Sequence, residues 1–122
     1  MPRALVVDDN RQMADSLCQM LEFFGIETEP AYGPRAAMLR LAKIIPDILF
    51  MDIHMSGVDG FEVLAYLRRM PQMENLPVVF VTSDDQPETE KKVRKTGALH
   101  LIVKPPTLSA LEGVLQQAGL IE

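Results

Sequence analysis

Short apolar runs alternate with helical apolar periodicity along the whole 122-residue chain. Ala4-Leu5-Val6-Val7 stops abruptly at Asp8-Asp9, and Met13, Leu17, Met20, Leu21 and Phe24 then recur at the spacing of one helix face. Gly25 stands where a helix C-terminus favours glycine. Ile26 to Tyr32 reads as a strand. A second helix opens at Pro34, a good first-turn residue, and runs through Ala37, Leu41 and Ile44 to Pro46. Ile48-Leu49-Phe50-Met51 is the next apolar run and ends on Asp52. A loop with Gly57 and Gly60 leads to a helix around Phe61, Leu64 and Leu67. The run from Pro77 to Val81 ends at Thr82-Ser83-Asp84. The helix expected from Pro87 to Thr96 is mostly charged, with Val93 its one large apolar residue. Leu99 to Val103 is the fifth run and terminates at Lys104-Pro105. Thr107 can cap a last helix, whose stripe is Leu108, Leu111, Leu115 and Ala118.

That is five strand–helix units in succession. Strands apolar on both faces, alternating with helices, predict an α/β fold: a doubly wound, five-stranded parallel sheet covered on both sides by right-handed crossovers. Five units are too few to close a TIM-type ring. The length suits one domain, residues 1–122. A content of 48% hydrophobic and 24% charged residues excludes a disordered chain. Seventeen acidic residues against twelve basic, a net charge of −5, argue against direct nucleic-acid binding. Cys18 is the only cysteine, which excludes an internal disulfide and a Cys-rich zinc site. Its place inside a helix predicts a buried thiol. Only four apolar residues follow Met1-Pro2-Arg3 before the first carboxylates, too few for a signal peptide, and no stretch reads as a membrane span. The expectation is a cytoplasmic protein with no membrane contact.

The topology decides where chemistry can sit. In a parallel sheet all strand C-termini share one edge, and ligands bind there. The residues ending the predicted strands are Asp8 and Asp9, Asp52, Thr82 and Lys104. Three carboxylates, a hydroxyl and an ammonium from four segments should therefore converge. Asp8, Asp9, Thr82 and Asp84 can each also be read as ordinary helix caps. Clustered carboxylates repel one another unless a cation neutralises them, and oxygen donors with no His or Cys side chain favour Mg²⁺. Mg²⁺ readily takes a phosphate oxygen as a further ligand, and a lysine and a hydroxyl could hold the other phosphoryl oxygens. A carboxylate at the centre of such a site can itself be the nucleophile, and Asp52, at the end of a central strand, is the candidate. The turn after the first strand has neither the Gly-rich nor the Ser/Thr-rich loop of nucleotide or flavin sites.

Val7-Asp8-Asp9-Asn10, Met51-Asp52-Ile53-His54-Met55 with Asp59-Gly60, Val81-Thr82-Ser83 and Val103-Lys104-Pro105 resemble the motifs of response-regulator receiver domains, in register from Arg3 to Ala118. The resemblance implies a flavodoxin-like sheet of strand order 2-1-3-4-5 that accepts a phosphoryl group from a sensor histidine kinase or phosphotransfer protein. It implies Asp52 as phosphoacceptor, and Asp8, Asp9, Asp52 and the main-chain carbonyl of His54 as Mg²⁺ ligands. Thr82 and Lys104 would bind the phosphoryl group, and Lys104-Pro105 would be cis. It also implies that the charged helix, fifth strand and last helix, residues 87–118, form the surface for a downstream protein, an effector domain or a second copy.

The chain departs from the family at three places. Ser56 and Val58 replace a common proline and methionine in a loop. Leu101 stands where many members carry a Tyr or Phe that moves with the switch hydroxyl, and it cannot supply that ring. His54 and Asp84, two residues after the acceptor and after the switch hydroxyl, match positions that tune access of water. The charged helix, with so little apolar material, should be a moving part, and Lys91, Lys92, Arg94 and Lys95 form a basic patch on it. Two other readings use the same residues. One is a Mg²⁺-dependent phosphatase-like hydrolase, although His54 stands where a second acid is normally needed. The other is a structural receiver, never phosphorylated and used only for protein contacts.

Overall fold

The computed structural model describes every residue, Met1–Glu122. Strands β1 (Arg3–Val7), β2 (Glu27–Ala31), β3 (Ile48–Met51), β4 (Val78–Thr82) and β5 (His100–Val103) alternate with helices α1 (Arg11–Glu22), α2 (Pro34–Leu41), α3 (Gly60–Arg68), α4 (Pro87–Lys95) and α5 (Leu108–Gln117). The strands form one parallel sheet in the order β2-β1-β3-β4-β5. This is the doubly wound, flavodoxin-like arrangement expected from the sequence.

The central strands are buried on both faces because alternate residues feed two separate cores. Leu5, Val7, Leu49, Met51, Val78 and Phe80 point toward α2, α3 and α4. Their neighbours Ala4, Val6, Ile48, Phe50, Val79 and Val81 pack under α1 and α5. Each fully buried Val, Leu, Ile, Met or Phe side chain among them contributes about 1.5–3 kcal/mol, so these three strands anchor the fold. The outer strands are different. In β2 only Ala31 is buried, and Pro30 is tolerated because the strand lies at the sheet edge. In β5 only Ile102 is buried.

Helix ends follow local chemistry. The Asn10 side chain caps α1 by accepting from the Met13 N–H at 3.1 Å, and Asp59 with Glu62 forms a reciprocal capping box on α3. Thr107 caps α5 as expected, accepting from the Ala110 N–H at 3.1 Å. Gly25, at φ +79°, turns the chain out of α1.

Three expectations change. The buried face of α1 is Ala14, Leu17, Cys18 and Leu21, whereas Met13, Met20 and Phe24 are only half-buried. Ala14 and Cys18 share that face with Leu17 and Leu21, Cys18 as its place in a helix predicted, and the unbranched and aromatic side chains flank it. The last helix buries Leu111, Val114 and Leu115 and leaves Leu108 in its first turn 43% exposed. Helix α2 ends at Leu41, three residues short of Ile44, with Ala42 as its C-cap.

One glycine fixes how α3 meets the sheet. A Cβ on Gly60 would lie 2.6 Å from the Asp52 carbonyl oxygen and 3.1 Å from the Ile53 Cα. The Gly60 N–H donates to the Ile53 carbonyl at 2.7 Å, which leaves the backbone no room to retreat. Gly60→Ala is therefore expected to destabilise the protein by about 2 kcal/mol despite alanine's better helix propensity. Urea unfolding checks this as a lowered midpoint, and an unchanged or raised midpoint contradicts the close approach.

Candidate functional site

The strand register brings the candidate residues together. Val7 pairs with Met51, so the next residues, Asp8 and Asp52, emerge side by side at the C-terminal edge. The Asp52 N–H donates to the Val7 carbonyl at 3.0 Å and extends that ladder by one bond. On the other side Thr82 pairs with Val103, and the Lys104 N–H donates to the Thr82 carbonyl at 2.7 Å. The Lys104-Pro105 peptide is cis, as the resemblance implied.

Only three polar residues of the chain are buried: Asp8, Asp52 and Thr82 at 6%, 8% and 0% exposure. All three stand at strand ends on this one edge. None is a helix cap, because Asn10 takes that place on α1 and Gln86 precedes α4. Burial of two carboxylates demands a partner. Lys104 supplies it: its Nζ lies 2.8 Å from Asp8 Oδ2 and 3.2 Å from Asp52 Oδ2, with 16% of its side chain exposed. Burial acts to lower the Lys104 pKa, but the two carboxylates outweigh it and hold the pKa above the ordinary lysine value. The ammonium thus stays charged throughout the neutral range.

Asp9 is exposed and joins from the next position. Its Oδ2 accepts from the Ser56 N–H at 3.0 Å, which ties the loop after β3 to the loop after β1. Asp8, Asp9 and Asp52 each offer an oxygen, and these oxygens lie within 4.8 Å of one another. One ammonium against three carboxylates leaves two negative charges in excess, the charge of one divalent cation. An all-oxygen donor set, partly open to water, suits Mg²⁺ better than a softer metal.

His54 contributes no side-chain atom to the cluster. Its Nε2–H donates to Asp84 Oδ2 at 2.8 Å, so the main-chain carbonyl is what His54 can offer a cation. Asp84 also accepts from the Thr89 hydroxyl at 2.6 Å and from the Gln86 N–H at 3.0 Å. The hydrogen bonds from Thr89, His54 and Gln86, in that order, hold its carboxyl down at about 2, against a weaker opposing effect of burial. Its N–H in turn donates to Thr82 Oγ1 at 3.2 Å. Leu101, where a ring was absent from the sequence, packs at the margin of the core on the α4 side.

Sequence reading located Asp8, Asp9, Asp52, Thr82 and Lys104, and all five gather at this edge. It singled out His54 and Asp84 without joining them, named Ser56 only as a replacement for a common proline in a loop, and missed Thr89. Ser56 acts through a backbone N–H, which a proline at that position would lack. Thr89 carries a faint signal, a hydroxyl one turn into a helix that follows an acidic loop.

With this geometry, comparison with known proteins is specific. The family model described as "Response regulator receiver domain" matches residues 4–116. PilH of Pseudomonas aeruginosa is 34% identical over 107 residues, covering 86% of this chain and 87% of that protein. Regulatory protein AtoC of Escherichia coli is 32% identical over 95% of this chain. The phosphate regulon transcriptional regulatory protein PhoB of Rhizobium meliloti is 31% identical over 86% of it. The matched region spans 25% of AtoC and 46% of PhoB, so it accounts for less than half of each of those two proteins. The chemotaxis protein CheY4 of Vibrio cholerae has the same fold, with a TM-score of 0.88 at 28% identity, covering 97% of this chain and 98% of that one. No helix is long and apolar enough to cross a membrane. With the strand order, the strand-end carboxylates and the lysine between them all in place, the chain belongs to the response regulator receiver domain family.

Proposed function

We propose that this receiver accepts a phosphoryl group on Asp52, takes it from a phosphohistidine of a sensor kinase or phosphotransfer protein, and thereby switches a protein-binding surface. The observation that carries this reading is the single ammonium of Lys104 held between buried carboxylates from two different strands. An Asp52 oxygen attacks phosphorus, the bond from phosphorus to the donor nitrogen breaks, and the electron pair leaves with the imidazole. Lys104 gives up its contact with Asp52 and pairs with a phosphoryl oxygen instead. The Thr82 hydroxyl, at the same edge, donates to another.

Asp8, Asp9, Asp52 and the His54 carbonyl are the groups that would hold Mg²⁺, with Asp9 positioned by the Ser56 N–H. When bound, the ion neutralises the excess carboxylate charge and the charge on the incoming phosphoryl oxygens. The chain acts as a signalling phosphoacceptor that loses its own phosphoryl group to water, and it turns over no separate substrate. It works in the cytoplasm, and its output runs through residues 87–118 to an effector domain, a downstream protein or a second copy, without direct contact to nucleic acid.

Incubation with acetyl phosphate and Mg²⁺ is expected to add one phosphoryl group, read by intact-mass spectrometry, and excess EDTA is expected to prevent it. Turnover of a generic phosphate ester would favour a hydrolase instead. No uptake under any divalent cation would favour a purely structural receiver.

A further inference from the structure

Helix α4 is weakly held. Val93 is its only buried side chain, and Gln86, at the cap position, makes no side-chain cap bond. A cation–π contact of Lys92 over the Phe61 ring, 4.6 Å from its centroid, is one of its few other attachments. The first turn of α4 is instead fastened from outside the helix by Asp84. One carboxylate oxygen accepts from the Gln86 N–H at 3.0 Å, and the other accepts from the Thr89 hydroxyl at 2.6 Å.

The same carboxylate reaches the other way. Its Oδ2 also takes the Nε2–H of His54, on the loop that follows Asp52. The Asp84 main-chain N–H rests on the hydroxyl of Thr82, which is completely buried and stands at the edge shared with Asp52 and Lys104. Asp84 is thus bonded to the loop after β3, to the end of β4 and to the first turn of the weakly held helix. A Thr82 hydroxyl that turns to meet a phosphoryl oxygen changes its hydrogen bond with the Asp84 N–H, and a displaced β3–α3 loop pulls on His54. Either event acts on Thr89 through a single side chain.

We propose that Asp84 is the positioning residue that couples the acceptor site to α4, clamping Thr89 in one state of the site and releasing it in the other. Leu101 has no ring to carry such a movement, so this route serves in its place. The coupling rests on the acceptor reading given above, whereas the clamp itself does not.

Hydrogen exchange of the α4 amides from Thr89 to Val93 tests it in two arms. Without any phosphodonor, Asp84→Ala and Thr89→Val are expected to speed exchange of these amides about tenfold, and Thr89→Ser, which keeps the hydroxyl, is expected to restore the slow rate. With acetyl phosphate and Mg²⁺, phosphorylation should alter α4 exchange in the unmodified chain. In Thr89→Val that change should be lost, although intact mass still shows the phosphoryl group taken up. Unchanged donor-free exchange in both Asp84→Ala and Thr89→Val would overturn the proposal. So would a phosphorylation-dependent change in α4 that persists in both. If the unmodified chain takes up no phosphoryl group, the acceptor reading and the coupling fail together, and the donor-free arm still decides the clamp.

Discussion

Asp52→Asn is expected to abolish phosphoryl uptake, with a rate loss of at least about a thousandfold, the order seen when a covalent nucleophile is removed. A neutral amide oxygen is a poor nucleophile, and it also weakens one of the three cation-binding positions. The fold should survive. The asparagine oxygen can still accept from Lys104, and the edge carries one fewer negative charge. Intact-mass kinetics with acetyl phosphate check the first point, and urea unfolding checks the second. Uptake at the normal rate would place the acceptor elsewhere.

Lys104→Met is expected to have the largest effect on stability. Methionine replaces the buried stem with a side chain of similar length and removes the charge that Asp8 and Asp52 share at 2.8 and 3.2 Å. Two carboxylates, each largely shielded from water, are left facing Asp9 without a counter-charge. Breaking a buried ion pair in this way costs about 3 kcal/mol. Saturating Mg²⁺ should recover part of that loss, because it returns positive charge to the same place. Phosphoryl uptake should fall about a hundredfold even with Mg²⁺ present, the order lost with one preorganised charge-stabilising donor. Urea unfolding with and without Mg²⁺ separates the two effects. A stability equal to that of the unmodified chain would mean that Lys104 does not neutralise the cluster.

Much of this site was legible in the sequence because a parallel sheet turns strand ends into neighbours. Once four apolar runs were seen to stop at Asp8, Asp52, Thr82 and Lys104, topology alone placed those residues on one edge. The register supplied the rest, with Val7 opposite Met51 setting the two aspartates side by side. Details that depend on loop paths were not legible. No periodicity says that the Ser56 N–H will reach Asp9, or that His54 will turn to Asp84 rather than to Asp52. Apolar size also misled the helix faces. Ala14 is buried on the sheet side of α1 while Met13 is only half-buried, and Val114 takes the place expected of Leu108, whereas Cys18 is buried as its place in a helix predicted.

The central claim is that carboxylates far apart in the chain share one cation beside Asp52. Paramagnetic broadening of amide resonances by substoichiometric Mn²⁺, competed by Mg²⁺, measures this directly. Broadening should appear first at Asp8–Asn10, at Asp52–Ser56 and near Thr82 and Lys104, and excess Mg²⁺ should reverse it. Broadening centred on any other part of the surface, or none at all, would contradict the claim.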